Sequence, residues 1–287
     1  MPDAAYHLSR PERCTTAVVF ASPHSGRAYS RAFLEGTRLD EHAVRSSEDA
    51  YVDRLFDSAP EFGAPFLHAG APRAFIDLNR SPDELDPALI EGVSPRGHNP
   101  RVASGLGVIP RVVANGRAIY SGKIPLHEAR RRIETWWRPY HAALGAELDA
   151  AQRMFGQAIL IDCHSMPHEA MEAVSMRGPR RPEIVLGDRF GAAADGGVVD
   201  RIEAVFSAAG LGVTRNTPFA GAYMTQAYGR PARGRHAVQI EIDRALYMDE
   251  RTIRPSADFD AFRAVMRAVT RELAGIGRPQ AAPLAAE

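Results

Sequence analysis

The sequence has almost no lysine, and its charges of the two signs are equal in number. Lys123 is its single lysine, so nearly all of the 35 basic residues are arginines, and 35 acidic residues balance them. A chain without net charge has no overall field to attract nucleic acid or an anionic membrane surface. Neither is therefore expected as a partner.

Cysteine is also scarce. Cys14 and Cys163 are too few for a disulfide framework, and their spacing fits no cysteine-based zinc motif. Any metal must therefore be bound by histidine and carboxylate side chains.

Long hydrophobic runs are missing. No stretch approaches the roughly 18 apolar residues of a membrane span, and the first residues lack the basic and apolar regions of a signal peptide. A hydrophobic content of 45% with 24% charged residues is typical of a soluble globular protein. We expect a cytoplasmic protein with a single domain over residues 1–287, and flexible ends at 1–13 and 277–287.

Apolar runs typical of strands alternate with amphipathic helical patterns along the chain. This alternation predicts an α/β fold with a mixed, largely parallel sheet flanked by helices. A hairpin is predicted at 112–120, where Asn115-Gly116 suits a two-residue turn, and 81–105 is predicted as a long loop over the site. The predicted strands are 15–22, 66–67, 74–76, 158–161, 184–186, 213–214 and 237–242, and the predicted helices are 43–60, 125–155, 196–209 and 258–275.

Polar residues follow several of the predicted strands directly. His24, the pair Asn79-Arg80, His164 and Glu241 all lie at or near strand ends. Ligands of open α/β sheets bind at the carboxyl ends of strands, so these side chains are expected to converge on one crevice. Each of them alone has an ordinary structural explanation, and their coincidence favours a site.

The two histidines predict a metal centre. Two neutral imidazoles and one carboxylate bind Zn²⁺ and leave a position for water, whose pKa the metal lowers. His24 and His164 supply the imidazoles. For the carboxylate we choose Asp49, on the acidic face of the predicted helix 43–60, with Glu48 and Asp53 as alternatives. The expected cofactor is one zinc ion, or another divalent metal.

Other charged residues suit a hydrolytic reaction at such a centre. Alternation along the strand places Glu241 on the polar face of Gln239 to Asp243, where it could act as general base on the metal-bound water. The planar guanidinium groups of Arg73 and Arg80 are suited to a substrate carboxylate.

Three competing enzyme motifs are not supported. The chain has no Gly-x-Ser-x-Gly elbow, since residues 92–97 are one residue out of step. The segment from Gly116 to Ile124 lacks the spacing and the hydroxyl residue of a phosphate-binding loop. Cys163 points away from the neighbouring His164, because adjacent strand residues face opposite sides.

The motifs around these residues resemble those of the N-formylglutamate amidohydrolases. The resemblance covers roughly residues 15–270, and includes residues 221–231 and 245–248. Its main motifs, in order, are Ser22-Pro23-His24-Ser25-Gly26, Glu48-Asp49-Ala50-Tyr51-Val52-Asp53, Asp77-Leu78-Asn79-Arg80, Asp162-Cys163-His164-Ser165 and Gln239-Ile240-Glu241-Ile242.

This resemblance implies a fold like that of the zinc carboxypeptidases and aspartoacylases, with the metal at the strand ends. It further assigns Asn79, Arg80 and Tyr223 to substrate binding and Arg73 to polarising the scissile carbonyl. The chain lacks the compact His-x-x-Glu zinc motif of the carboxypeptidases, so the carboxylate ligand has to come from elsewhere.

The function implied is hydrolysis of N-formyl-L-glutamate, or a similar small N-acyl amino acid, by a zinc-activated water. The products would be formate and glutamate, in histidine catabolism. One alternative is a related zinc amidase that acts on a peptide or cell-wall fragment. Another is a non-catalytic member that binds a small molecule, which metal content and turnover assays would distinguish.

Overall fold

A seven-stranded sheet forms the centre of the computed structural model, which describes residues 4–94, 99–113, 116–172 and 181–278. The strand order is β1-β3-β2-β4-β7-β5-β6. The four central strands β3, β2, β4 and β7 are parallel, whereas β1 and β5 run antiparallel to their inner neighbours. The predicted mixed, largely parallel sheet is confirmed. The strands are β1 (Tyr6–Ser9), β2 (Val18–Ser22), β3 (Phe66–Ala69), β4 (Ala158–Met166), β5 (Ile184–Gly187), β6 (Val213–Arg215) and β7 (Arg235–Asp243), with a separate ribbon of β8 (Met248–Asp249) and β9 (Arg254–Pro255).

Helices cover both faces of this sheet. The predicted helix 125–155 is continuous, because a π-helical turn (Ile133–Trp137) joins α5 to α6. The predicted helices 196–209 and 258–275 are also confirmed, as α7 and α9. None of the helices in the described ranges is long and apolar enough to cross a membrane. The α-helices are α1 (Arg31–Gly36), α2 (Glu41–Val44), α3 (Val52–Leu55), α4 (Pro100–Ala103), α5 (Leu126–Arg132), α6 (Arg138–Phe155), α7 (Gly196–Ala208), α8 (Tyr223–Tyr228) and α9 (Phe259–Ile276).

The central strands are buried on both sides, which is why they are nearly continuous apolar runs. Every residue of β2 and β4 is buried. Side chains alternate between two cores: Val18 and Phe20 pack with α7 and α9, whereas Val19 and Ala21 pack with the long helix α5–α6. This packing holds the strand ends that carry the polar residues.

The prediction of one helix over residues 43–60 is wrong. Helix α2 passes into a 3-10 turn (Arg45–Ser47), and α3 begins only after Tyr51. Tyr51 has a φ of 67°, a left-handed conformation that a right-handed helix cannot contain. Asp49 therefore lies in an irregular segment instead of on a helix face.

The predicted strand 74–76 is also wrong. Ala74, Phe75 and Ile76 are buried, as their apolar character suggests, but they form a turn. The amides of Phe75 and Ile76 both donate to the carbonyl oxygen of Pro72, which leaves no ladder for a neighbouring strand.

Three further segments differ from expectation. The predicted hairpin is reduced to one antiparallel bridge between Val112 and Ala118, and Asn115 lies outside the described residues. The loop 81–105 contains the short helix α4, and its residues 95–98 are likewise not described. The N-terminal end, expected to be flexible, contributes edge strand β1. At the other end, the carbonyl of Gly277 accepts from Ala17, and residues 279–287 are not described.

Candidate metal centre and substrate cavity

The ends of three adjacent parallel strands bring the predicted site residues together. His24 follows β2, His164 is in β4, and Glu241 is in β7. The register of β4 with β7 places His164 directly opposite Glu241. Since parallel strands present their carboxyl ends at one edge, the histidines and the glutamate share one crevice.

Three atoms of the kind that bind metals, two imidazole nitrogens and one carboxylate oxygen, meet in this crevice. Nδ1 of His164 lies 3.1 Å from Nδ1 of His24 and 3.0 Å from Oδ2 of Asp49, and the His24 to Asp49 distance is 3.4 Å. Donor atoms around a tetrahedral Zn²⁺, each at about 2.0–2.1 Å from the metal, are separated by about 3.3 Å. The buried cluster His24, Asp49 and His164 therefore has the composition and spacing to hold a divalent cation.

The two alternative carboxylates face other partners. Glu48 accepts hydrogen bonds from Arg45 and from the hydroxyl of Tyr29. Asp53 accepts two from Arg27. Among the three candidates, Asp49 is the one whose carboxylate meets the imidazoles.

The outer nitrogens of both imidazoles bind carboxylates. Nε2 of His24 donates to Oδ1 of Asp77 at 2.7 Å, and Nε2 of His164 donates to Oδ1 of Asp162 at 2.9 Å. A carboxylate on the outer nitrogen fixes the tautomer and turns the other nitrogen towards a metal. Both aspartates stand in the motifs of the family resemblance, but their contacts with the histidines are not evident from the sequence.

A buried arginine that was not predicted from the sequence holds the second oxygen of Asp49. Arg244 follows β7, donates from Nη2 to Oδ1 of Asp49 at 3.1 Å, and donates from Nε to the hydroxyl of Ser165 at 3.2 Å. Because Oδ1 is engaged, Oδ2 is the oxygen that faces the histidines. The only sequence signal was a basic residue directly after the strand of Glu241.

Charges within the cluster outweigh the effect of burial. Burial alone would lower the pKa of His164, but the carboxylates of Asp162 and Asp49 raise it well above its usual value. Burial would raise the pKa of Asp49, but hydrogen bonds from His164 and His24 lower it well below its usual value. The cluster of His24, Asp49 and His164 therefore favours positive charge between its carboxylates.

Glu241 has a different environment. Burial, together with the nearby charge of Asp49, raises the pKa of Glu241 to about 7, although His164 partly opposes this. The side chain of Gln239 donates to Oε1 of Glu241 at 2.7 Å and orients it. A carboxyl group with a pKa near neutrality is suited to accept a proton and give it back.

The residues assigned to substrate binding lie beside the cluster. Nε of Arg73 donates to Asp77 at 3.1 Å. The side-chain nitrogen of Asn79 donates to Oδ2 of Asp162 at 3.4 Å, which places it 3.2 Å from Nε2 of His164, and the side-chain oxygen of Asn79 accepts from the amide of Met224 at 2.7 Å. These hydrogen bonds hold Asn79 against the cluster of His24, Asp49 and His164.

Arg80 and Tyr223 differ in their access to this site. Arg80 is buried and donates to the carbonyl oxygens of Leu106 and Asn79 at 2.9 and 2.8 Å. Burial lowers the pKa of the Arg80 guanidinium. The ring of Tyr223 packs 5.7 Å from that of Trp137 and 5.5 Å from that of His141.

A cavity of about 760 Å³ opens onto the cluster. All the candidate site residues line it except Tyr223, whose neighbour Ala222 does so. Arg101 from α4 and Arg244 also reach its wall, so the cavity is rich in guanidinium groups. A larger cavity, of about 980 Å³, lies between residues 82–94 and helix α5, and none of the candidate ligands lines it.

Comparison with known proteins assigns these features to a class and then to a family. The class is that of the amidohydrolases. The sequence model described as N-formylglutamate amidohydrolase matches residues 16–248. The chain therefore belongs to the N-formylglutamate amidohydrolase family.

Individual relatives agree with this assignment. An N-formylglutamate deformylase of Pseudomonas aeruginosa is 33% identical, over 93% of this chain and 96% of its own length. One of Pseudomonas putida is 32% identical, over 81% and 82%. The crystal structure of N-formylglutamate amidohydrolase from Ralstonia eutropha JMP134 is 36% identical, with a TM-score of 0.87 over 95% of this chain and 98% of that one. The gene product Atu2144 of Agrobacterium tumefaciens, 17% identical with a TM-score of 0.63, shares the fold.

Proposed function

We propose that the protein hydrolyses the amide bond of N-formyl-L-glutamate to formate and glutamate, with a divalent metal, zinc by its donor set, held by His24, Asp49 and His164. The observation that carries this proposal is the convergence of three buried metal-donor atoms, 3.0–3.4 Å apart, in the lining of an arginine-rich cavity. Two relatives named N-formylglutamate deformylase support the substrate. A cytoplasmic role in histidine catabolism goes with this activity.

The donor set suits zinc because imidazole nitrogen and carboxylate oxygen are among its usual ligands. When bound, such a cation supplies Lewis acidity, which polarises a carbonyl group and makes water more acidic. His24, Asp49 and His164 would be its ligands, and Asp77 and Asp162 hold the two imidazoles in the required tautomer.

Glu241 moves the protons of the reaction. It accepts one proton from the attacking water as the oxygen–carbon bond forms at the formyl group. It then gives that proton to the amide nitrogen as the carbon–nitrogen bond breaks, which releases the amine of glutamate. Its pKa of about 7 matches both steps near neutral pH.

Arg73 and Arg80 orient the substrate. Asp77 accepts a hydrogen bond from Nε of Arg73 and so fixes this side chain. The guanidinium of Arg73 lines the cavity beside the cluster, where it can stabilise the developing oxyanion. Within the described ranges, the hydrogen bonds of Arg80 go to backbone carbonyls and it forms no ion pair. A buried cation without a counter-ion is costly, so a substrate carboxylate there satisfies both groups.

The direct test is formate release from N-formyl-L-glutamate by protein loaded with one equivalent of zinc. N-acetyl-glutamate, N-formyl-glutamine and a formylated peptide serve as comparison substrates. We expect turnover of N-formyl-glutamate to be fastest and to stop when a chelator removes the metal. Turnover that persists without metal would contradict the metal site. Activity on the peptide alone would contradict N-formyl-glutamate as the substrate and would indicate a peptide amidase with the same mechanism.

A further inference from the structure

Two aromatic side chains on one helix hold the backbone on both sides of Asn79. The indole Nε1 of Trp137 donates to the carbonyl oxygen of Arg80 at 2.9 Å, and Nε2 of His141 donates to the carbonyl oxygen of Leu78 at 2.8 Å. The two rings are stacked with their centroids 3.9 Å apart. We propose that this pair, the Trp137–His141 clamp, positions Asn79 and Arg80 for substrate binding.

The clamp acts on a segment that has no ladder of its own. Leu78, Asn79 and Arg80 belong to neither a strand nor a helix, so regular backbone pairing does not fix their side chains. The two clamped carbonyls flank Asn79, whose side chain lies against His164 on one side and accepts from Met224 on the other. A shift of this backbone would therefore move the Arg80 guanidinium and the Asn79 amide together.

The partners of His141 determine its tautomer. A carbonyl oxygen can only accept, so the nitrogen that faces Leu78 must carry the proton. Nδ1 is then an acceptor, and the hydroxyl of Tyr228 lies 2.8 Å from it as donor. Burial lowers the pKa of His141 to about 4, so the ring is neutral at physiological pH and keeps this arrangement.

The helix is locally modified where the clamp begins. The π-helical turn Ile133–Trp137 has one more residue than an α-helical turn, which rotates the following residues by about 100° relative to α5. Trp136 consequently packs edge-on against Phe75, with ring centroids 5.0 Å apart, while Trp137 faces Arg80. Trp137 and His141 are four residues apart and so share one helix face.

The test compares two neighbouring tryptophans and rests on the proposed function for its kinetic part. Trp137→Phe keeps an aromatic ring and removes the N–H donor. Trp136→Phe makes the same change in the same turn, at a residue that packs on Phe75 and the guanidinium of Arg131. We expect Trp137→Phe to raise KM for N-formyl-glutamate roughly tenfold, as for one lost hydrogen bond, with kcat within about twofold of wild type. Trp136→Phe should leave KM unchanged.

A second measurement does not need the substrate. Amide hydrogen exchange of residues 78–81 should be faster in Trp137→Phe than in wild type and Trp136→Phe, at equal zinc content. His141→Gln retains an N–H donor, so its exchange rates at residues 78–81 should be closer to those of wild type than the rates of His141→Leu.

Equal exchange and equal KM in the two tryptophan variants would overturn the clamp. So would a loss of kcat and zinc content in Trp137→Phe that merely follows its loss of thermal stability. If wild-type protein released no formate, the proposed function would fail, and the exchange comparison would still decide the clamp.

Discussion

Replacing Arg244 by methionine should weaken zinc binding, although Arg244 is not itself a ligand. Its side chain donates to Oδ1 of Asp49, and the two residues are only 6% and 1% exposed. Methionine fills similar volume but leaves this oxygen buried and unpaired, so Asp49 is free to turn away from the histidines. Loss of such an outer partner typically costs 10–100-fold in metal affinity, which is about 1.4–2.8 kcal/mol. We expect the upper half of that range, because burial leaves little water to replace the guanidinium.

The assay is a zinc titration against a competing chromophoric chelator, with thermal unfolding measured in parallel. Arg45→Met is the matched control, because it removes an arginine that bridges Glu48. Glu48 directly precedes Asp49 in the chain, but the carboxylate of Glu48 does not face the imidazoles. Its zinc affinity should remain at the wild-type value. Equal zinc affinities in Arg244→Met and wild type would refute the positioning of Asp49 by Arg244.

Three further predictions concern proton transfer and pH. Glu241→Gln should lower kcat by about 10²–10⁴ with zinc affinity almost unchanged, whereas retained turnover would remove the general base. Zinc affinity should increase with pH, because the raised pKa of His164 leaves a proton on the imidazole that the metal must displace. Calorimetry in buffers of different ionisation enthalpy should detect the release of this proton when zinc binds. Zinc binding without proton release would contradict this account. The pKa of His141 is about 4 in the folded protein and 6.5 in an unperturbed chain. Between these pH values the unfolded state binds more protons than the folded state, so the free energy of unfolding decreases as the pH falls from 6.5 to 4. Urea unfolding should show wild type losing on the order of 3 kcal/mol more than His141→Gln between pH 7 and 4, and parallel losses would argue against a neutral buried ring.

Sequence patterns predicted the central strands and the long helices because both are regular and strongly apolar. The strand ends then located His24, His164 and Glu241, since topology requires parallel strands to present their carboxyl ends together. Of the three acidic residues considered, Asp49 is the one that lies beside the two histidines, and its role as a ligand stays a prediction.

The errors arose where non-local packing determined the conformation. The apolar residues of 43–60 recur at helical spacing and are buried, but the left-handed backbone of Tyr51 divides them between separate short helices. Residues 74–76 are apolar because they are buried in a turn. Local periodicity detects burial in both segments and does not distinguish the backbone that achieves it.

The contributions of Arg244 and Trp137 could not be predicted for a related reason. Arg244 meets Asp49 across 195 positions of sequence, and no local pattern encodes that contact. Trp137 belongs to an apolar stripe along the predicted helix 125–155, a pattern that indicates only burial, and its ring does pack in the core. Its indole N–H bond to Arg80 is visible only once the helix and the loop are placed side by side.

The pairing of β4 with β7 also has a consequence for how the sequence can vary. These strands are neighbours from Ala158 opposite Arg235 to Met166 opposite Asp243, although about 70 residues separate them in the chain. Part of that intervening sequence, from β5 to β6, joins the sheet beyond β7. Insertions in the surface turns of Ile184–Arg215 can therefore accumulate without changing the distance between His164 and Glu241. A single-residue insertion within either paired strand would instead turn one of these two side chains to the opposite face of the sheet.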